Sequence, residues 1–329
     1  MKGFWSYFWI IYMLFFAIPF PMLLYYKTAY GELETGGGTN PWLALTYLAL
    51  SVILWVILLQ RWFRKWVLQP FLMRQNILRL LKDGVRKDAI VKQSKDVLSA
   101  PKGVIAKDIT VSLRNFSGTD ISEQLIVYDT KPELRRYDVG KTVPLRIDDK
   151  LKAIPYVIPD GASVSLKSGR MIGLFCIWAA LVAAVVWYYG FSYVLENHGR
   201  GWRFLAFYHP LLMCPLIILC SIGGLGLLLK MIAGSPEQQL QLKYYGIRTE
   251  AAILSASQTG TYINEQPQIK FELSYQDTAG KTHQVSLKKI VSLLDLDSTK
   301  RASVPIFYLK EQPDQVIFAS DLETETKIS

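Results

Sequence analysis

The chain has 329 residues, of which 51% are apolar and 19% charged, with a formal net charge of +10. Its mean hydropathy of +0.20 excludes intrinsic disorder, and the gathering of apolar residues into long runs disfavours a purely soluble enzyme. Cys176, Cys214 and Cys220 all lie inside apolar runs, so no disulfide framework or paired zinc motif can be built; His198, His209 and His283 are scattered and read as polar surface residues.

Four windows have the roughly 20 apolar residues that a membrane-crossing helix needs. They are Phe4–Tyr26, Trp42–Trp62, Met171–Leu195 and Tyr208–Ile232, in two pairs. The first lacks a small-residue cleavage site and reads as an uncleaved span, interrupted by Pro19 and Pro21. Asn40-Pro41 reads as an N-cap followed by proline at the first helical position. After the second span come Arg61, Arg64, Lys65, Arg74, Arg79 and Lys82, whereas the loop before it holds only Lys27, so both chain ends and both polar regions are expected in the cytoplasm. The segment Arg61–Lys82 alternates basic and apolar residues, as a helix lying at a membrane surface does. Arg61, Trp62, Arg64, Lys65 and Trp66 are its expected contacts with anionic head groups. No ionisable side chain lies mid-span, which argues against an ion-coupled transporter. Ala179, Ala183, Gly223 and Gly224 point to tight packing of the second helix pair or to a homo-oligomer contact.

The second half repeats the first. Gly84–Ile90 matches Gly246–Ala252 at an offset of 162, Ile109–Leu113 matches Ile269–Leu273 at 160, and Val143-Pro144-Leu145 matches Val304-Pro305-Ile306 at 161. Apolar residues alternate within each polar region, as in half-buried strands. Five strands are expected per copy, near 85–95, 104–114, 121–128, 142–147 and 154–158, then near 247–258, 268–276, 282–289, 303–309 and 315–318. Turns fall at 115–119 and 277–280. The fold class is thus an α+β membrane protein, with four transmembrane helices in two hairpins, each followed by a small antiparallel barrel or sandwich. Pro144 and Pro305 are expected on an edge strand, flanked by inward-facing Val143, Leu145, Val304 and Ile306. The boundaries are 1–62 for the first hairpin, 63–83 for a basic linker helix, 84–168 for the first β domain, 169–232 for the second hairpin, 233–322 for the second β domain and 323–329 for a flexible tail.

Gly-Ile-Arg-Thr-Glu-Ala-Ala-Ile at 246–253, the extended run ending at Tyr275 before a glycine turn, and Val304–Leu309 followed by Gln312-Pro313 resemble a bacterial family of small β domains of unassigned function carried on membrane hairpins. The resemblance covers about 75 residues of the second copy and, more loosely, the first, departing over Leu125–Arg146. It implies a bacterial inner-membrane protein and carries no functional residues.

No phosphate-binding loop, zinc-protease helix or nucleophile elbow occurs, so no catalytic residue, cofactor or metal site is assigned. Gly36-Gly37-Gly38 reads as a flexible turn, and Ser117 as part of a β-turn with no histidine near in sequence to activate it. Asp129, Glu133, Asp138, Asp148 and Asp149 are interleaved with basic residues and read as a solvated face. Within it, Asp129–Tyr137 is the least generic exposed stretch, and Lys131, Glu133, Arg135, Arg136 and Tyr137 are the expected contact with a protein partner. Residues 61–170 hold 22 basic and 12 acidic side chains, a net of +10, whereas 233–329 hold 10 and 12, a net of −2. Membrane-surface anchoring accounts for the excess better than nucleic acid. The leading expectation is a non-enzymatic scaffold presenting two β domains to a protein partner, in envelope assembly or protection against a toxin. Transport or lipid handling is the alternative, and an enzyme with an unrecognised site the third reading.

Overall fold

A computed structural model describes residues 2–29, 39–97, 105–129, 131–152, 154–164, 166, 168–233, 235–263, 265–292 and 302–324. The turn expected at 36–38 and the tail from 325 onward lie outside the described residues. The chain is α+β and divides into two compact units, one of Met1–Gln75 with Val164–Ile232, the other of Asn76–Ser163 with Ala233–Ser329.

The first unit is helical. Four helices are long and apolar enough to cross a membrane. The first apolar stretch is broken into α1 (Lys2–Ala17) and α2 (Pro19–Leu24) at Ile18, where Pro19 opens a new helix, and ends in a π turn at Tyr25–Ala29. Helix α3 (Pro41–Phe63) starts at the Asn40 cap, whose side chain accepts the Trp42 N–H at 3.0 Å. A π turn at Arg64–Leu68 joins it to α4 (Gln69–Asp83). Helices α5 (Ser168–Glu196) and α6 (Pro210–Ala233) follow. Pro215 inside α6 has no N–H to offer the carbonyl of Leu211, four residues earlier. That carbonyl instead accepts the Ser51 hydroxyl at 2.7 Å and the Trp55 indole N–H at 2.9 Å, both from α3. Satisfying a freed backbone carbonyl from a neighbouring helix is what an apolar surrounding demands.

The second unit holds two antiparallel five-stranded sheets and α7 (Pro236–Tyr245). Strands β1 (Val85–Val97), β2 (Ile105–Arg114), β3 (Asp120–Asp129), β4 (Thr142–Ile147) and β5 (Val157–Pro159) are ordered β3-β2-β1-β4-β5. Strands β6 (Ile247–Ile263), β7 (Gln266–Gln276), β8 (Thr282–Ile290), β9 (Ser303–Tyr308) and β10 (Val316–Phe318) repeat that order as β8-β7-β6-β9-β10. Each copy is one curled sheet rather than a sandwich, the second closing further because β10 approaches β8.

The repetition extends to single residues. Leu145 faces Lys87 and Ile306 faces Thr249, a shared register at offsets of 161 and 162. Each first strand carries a one-residue bulge at the same point, Lys92 between Val91 and Gln93, and Leu254 between Ile253 and Ser255, and β6 shifts register again between Gln258 and Tyr262. The register corrects the sequence match between β2 and β7. Ala89 faces Leu113 and Ala252 faces Ser274, so Leu113 corresponds to Tyr275 at an offset of 162, not to Leu273 at 160. A two-residue error keeps every side chain on its face, which is why alternation alone could not expose it. Pro144 and Pro305 do not lie on edge strands, since β4 runs between β1 and β5 and β9 between β6 and β10. The short β5 pairs only with Leu145–Ile147, so Pro144 sits just past its ladder.

Gly84 and Gly246 open the two copies because the preceding helix turns directly into a strand. A Cβ would lie 2.5 Å from the Leu80 carbonyl oxygen at Gly84 and 2.1 Å from that of Leu242 at Gly246. The core of the first sheet contains Ala89, Val91, Ile109, Val111 and Leu145, and takes in Leu242 and Tyr244 of α7. The second core is built on Ala251, Phe271, Leu273, Tyr275 and Ile306.

Candidate interaction site

Strand β3 begins after a turn in which Asn115 Oδ1 accepts the N–H groups of Ser117 and Thr119, both at 2.9 Å. Ile121 and Val127 face the core, but Ile126 and Tyr128 on the other face are 58% and 64% exposed. Among the described residues β3 pairs with β2 alone, and Leu125–Asp129 make no backbone hydrogen bond on their outer side. Between this edge and the segment Ile154–Val157 lies a pocket of about 420 Å³ lined by Gln124, Leu125, Ile154, Tyr156, Gln239 and Leu240. At its rim the Lys243 ammonium lies 2.6 Å from Glu123. Burial, reinforced by Glu123, pushes the neighbouring Tyr244 phenol well up, so it stays protonated.

The partner-contact stretch continues from the same end of β3, and its two ends are buried rather than exposed. Asp129 is 0% exposed, accepts Arg136 at 2.7 Å and the Lys131 N–H at 3.1 Å, and its Oδ2 has no hydrogen bond among the described residues. This bond holds the Arg136 guanidinium all the more firmly in its charged form. Tyr137 packs in the first core, and burial raises its phenol. A short 3-10 turn, Pro132–Leu134, followed by Arg135 in the left-handed region at φ 47°, folds the stretch back. That leaves Lys131, Glu133, Arg135 and Arg136 exposed, and Lys131 and Arg135 have no ion-pair partner among the described residues. Two further carboxylates are engaged separately, Asp138 with Lys107 at 3.4 Å and Asp148 with Arg79 at 3.3 Å. Ser117 donates to the Tyr245 carbonyl at 2.6 Å.

In the helical unit Arg61, Arg64 and Lys65 are exposed, while Trp62 and Trp66 are half-buried and stacked, with ring centroids 5.6 Å apart and planes 3° from parallel. Ala183, Gly223 and Gly224 are exposed and Ala179 half-buried. A Cβ on either glycine would meet nothing within 4 Å, so close helix packing within this chain does not explain them.

The surface reading of His209 is wrong. Its side chain is fully buried, with Nε2 3.3 Å from Glu196. Its Nδ1 accepts the Leu211 N–H at 3.1 Å, which caps α6 and identifies Nε2 as the protonated nitrogen of a neutral ring. Glu196 also accepts the Tyr26 hydroxyl at 3.1 Å and that of Tyr25. A carboxyl group at the end of an apolar helix is thus met by three polar side chains, as a buried polar group requires. His209-Pro210 has the pattern of Asn40-Pro41, a capping side chain before proline, and that was its sequence signal. The β3 edge had a signal too. Leu125-Ile126-Val127-Tyr128 is an unbroken apolar run of four, longer than any within the other strands of that sheet.

No protein-family model matches the chain, and no curated protein matches it.

Proposed function

We propose that this chain is a polytopic protein of the bacterial inner membrane that works without catalysis, its four apolar helices forming two membrane hairpins that hold the paired sheets in the cytoplasm for a protein partner. The observation that carries the reading is the coincidence, at one end of the first sheet, of exposed Ile126 and Tyr128 with the exposed cations Lys131 and Arg135, which have no ion-pair partner among the described residues. Exposed aromatic and aliphatic residues beside charged ones are the composition of protein contacts. The stacked Trp62 and Trp66 with Arg61, Arg64 and Lys65 suit the head-group level, each basic residue contributing on the order of 1 kcal/mol toward anionic lipid. Envelope assembly and protection against a toxin are both compatible with such a contact. A photoreactive side chain introduced at Lys131 or Arg135 in the full-length protein in native membranes is expected to give one discrete protein adduct, absent from the same probe at Gln284; adducts to lipid alone would overturn the reading. Orientation is tested by Ser257→Cys, which should escape an impermeant thiol reagent in intact cells.

A second reading, lipid handling, is favoured by a groove of about 620 Å³ in the helical unit lined by Phe16, Phe20, Leu24, Tyr25, Tyr208 and Met213. Acceleration of lipid exchange between leaflets by the purified protein in liposomes would support it over the first.

A further inference from the structure

We infer that the outer edge of β3, from Leu125 to Asp129, is a strand-addition site that takes an extended, acidic segment of another protein. The inference rests on the reading of the chain as an interaction protein and names the mode of contact.

Edge strands expose a row of backbone donors and acceptors, and proteins ordinarily blunt them with lysine, with bulges or by covering them. The two copies treat equivalent edges differently. In the second copy, β8 has Lys288 and Lys289 where β3 has Ile126 and Val127, an offset of 162 set by the shared register. Lys289 is further tied to Asp321 of α8 (Ala319–Thr324), and β10 approaches β8 from the far side of the sheet. The β3 edge has no such protection beyond its first residues. Asp120–Ser122 lie against Leu322 of α8 and Glu123 is paired with Lys243 of α7, but Leu125–Asp129 have no outward backbone partner among the described residues, and two large apolar side chains project beside them.

The pocket next to this edge supplies the second part of the argument. An added strand runs about 4.8 Å from its neighbour and sends alternate side chains to opposite faces. One face of a strand laid along β3 would meet Ile126 and Tyr128, and the other would present a side chain to the 420 Å³ pocket between β3 and Ile154–Val157. Leu125, Ile154, Tyr156 and Leu240 offer that side chain an apolar lining. Backbone pairing gives such contacts their affinity and alternate pockets their specificity.

Charge selects the sign of the partner. Lys131 and Arg135 follow directly on β3, are exposed and have no ion-pair partner among the described residues, while Glu133 is the one exposed acid between them. Acidic side chains on the incoming segment complement these cations and speed its encounter. A nucleic acid would meet the same cations but has no backbone ladder to pair with the strand, so a polypeptide fits the whole surface better.

The test uses the full-length protein in nanodiscs with three synthetic probes: a short peptide alternating valine and glutamate, its valine–lysine counterpart, and the valine–glutamate peptide N-methylated at alternate backbone nitrogens. The first is expected to bind and to slow hydrogen exchange at the amides of 125–129. The N-methylated peptide, the lysine peptide and the double variant Ile126→Lys/Tyr128→Lys, which copies the protection of β8 at exposed positions, should each weaken binding by about tenfold or more. Equal binding of the N-methylated peptide, protection elsewhere, or no binding of the first peptide would overturn the inference. So would a dimer of the chain in nanodiscs that the double variant dissociates, because the edge would then belong to a second copy. Protein adducts from Lys131 and Arg135 without protection of β3 would remove strand addition and leave the interaction reading; loss of both would remove the two together.

Discussion

The two sheets share a strand order, a register and a bulge, yet they use one corner of that frame in opposite ways. In the first copy Asn115 Oδ1 accepts the N–H groups two and four residues on; in the second Asp277 Oδ1 does the same for Ala279 and Lys281, at 2.8 and 3.0 Å. Gly118 and Gly280 take positive φ of 81° and 79° at equivalent points of the turn. The backbone therefore needs only an acceptor at this position, and what remains of the side chain is free for another task. Asn115 uses its amide nitrogen to donate to the carbonyls of Lys243, at 3.1 Å, and Gly246, at 2.8 Å, where α7 gives way to the second copy. Asp277, which has no donor, places its second oxygen 2.8 Å from Nε2 of His283, the counterpart of Ile121. One frame thus yields a residue that ties the copies together and another that serves its own turn. The two sheets keep what the backbone requires and differ in how they use the spare hydrogen-bonding capacity.

The sharpest way to break this comparison is Asn115→Asp. The change keeps the acceptor for Ser117 and Thr119 but turns both bonds to α7 into a carboxylate facing two carbonyls at a site 1% exposed. An uncompensated buried charge of this kind costs about 3 to 5 kcal/mol. Denaturant unfolding of the full-length protein in detergent, with hydrogen exchange to locate the loss, should show the first sheet and α7 destabilised together. Asp277→Asn should fall far short of that effect.

A smaller test uses the glycines that open each copy. Gly246→Ala would set a methyl carbon 2.1 Å from the Leu242 oxygen and 3.2 Å from the Phe307 ring, and Gly84→Ala would set one 2.5 Å from the Leu80 oxygen. Backbone must shift in both, at about 1 to 3 kcal/mol, with the larger loss at Gly246. Equal stability of the two variants and the parent in thermal unfolding would mean that these glycines are not held by the helix-to-strand turn.

Much of this frame is legible in the sequence. Period-two alternation placed all ten strands to within a few residues, and runs of apolar residues marked the four long helices. What escaped were features that depend on partners distant in sequence. Val143, Leu145 and Ile306 face the core as alternation requires, but whether β4 is an edge strand depends on three residues of β5. Glu196 and His209 each looked ordinary alone, and only folding brings Tyr25 and Tyr26 to the same carboxylate. Of the contact stretch, the charged tips were legible and the burial of Asp129 and Tyr137 was not, because a charge run and a charge pair read alike in one dimension.

The smallest expected effect comes from acid, and it separates the two turns most cleanly. The hydrogen bond from His283, helped by the Lys281 N–H, holds the Asp277 carboxyl below the usual aspartate range. A carboxyl lowered on folding contributes stability that is fully present above its unfolded value of about 3.9 and is lost as pH falls through the lower folded value. Asn115 cannot titrate, so the first turn has no counterpart to this loss. The protection of the amides at 277–283, relative to their intrinsic exchange at each pH, should therefore fall below about pH 4 while that at 115–121 holds. Asp277→Asn keeps the turn acceptor, as Asn115 does in the other copy, and should make the two turns respond alike. Loss of protection at both turns in the parent protein would place the acid-sensitive group elsewhere. No change at either would mean that His283 does not hold the Asp277 charge in solution.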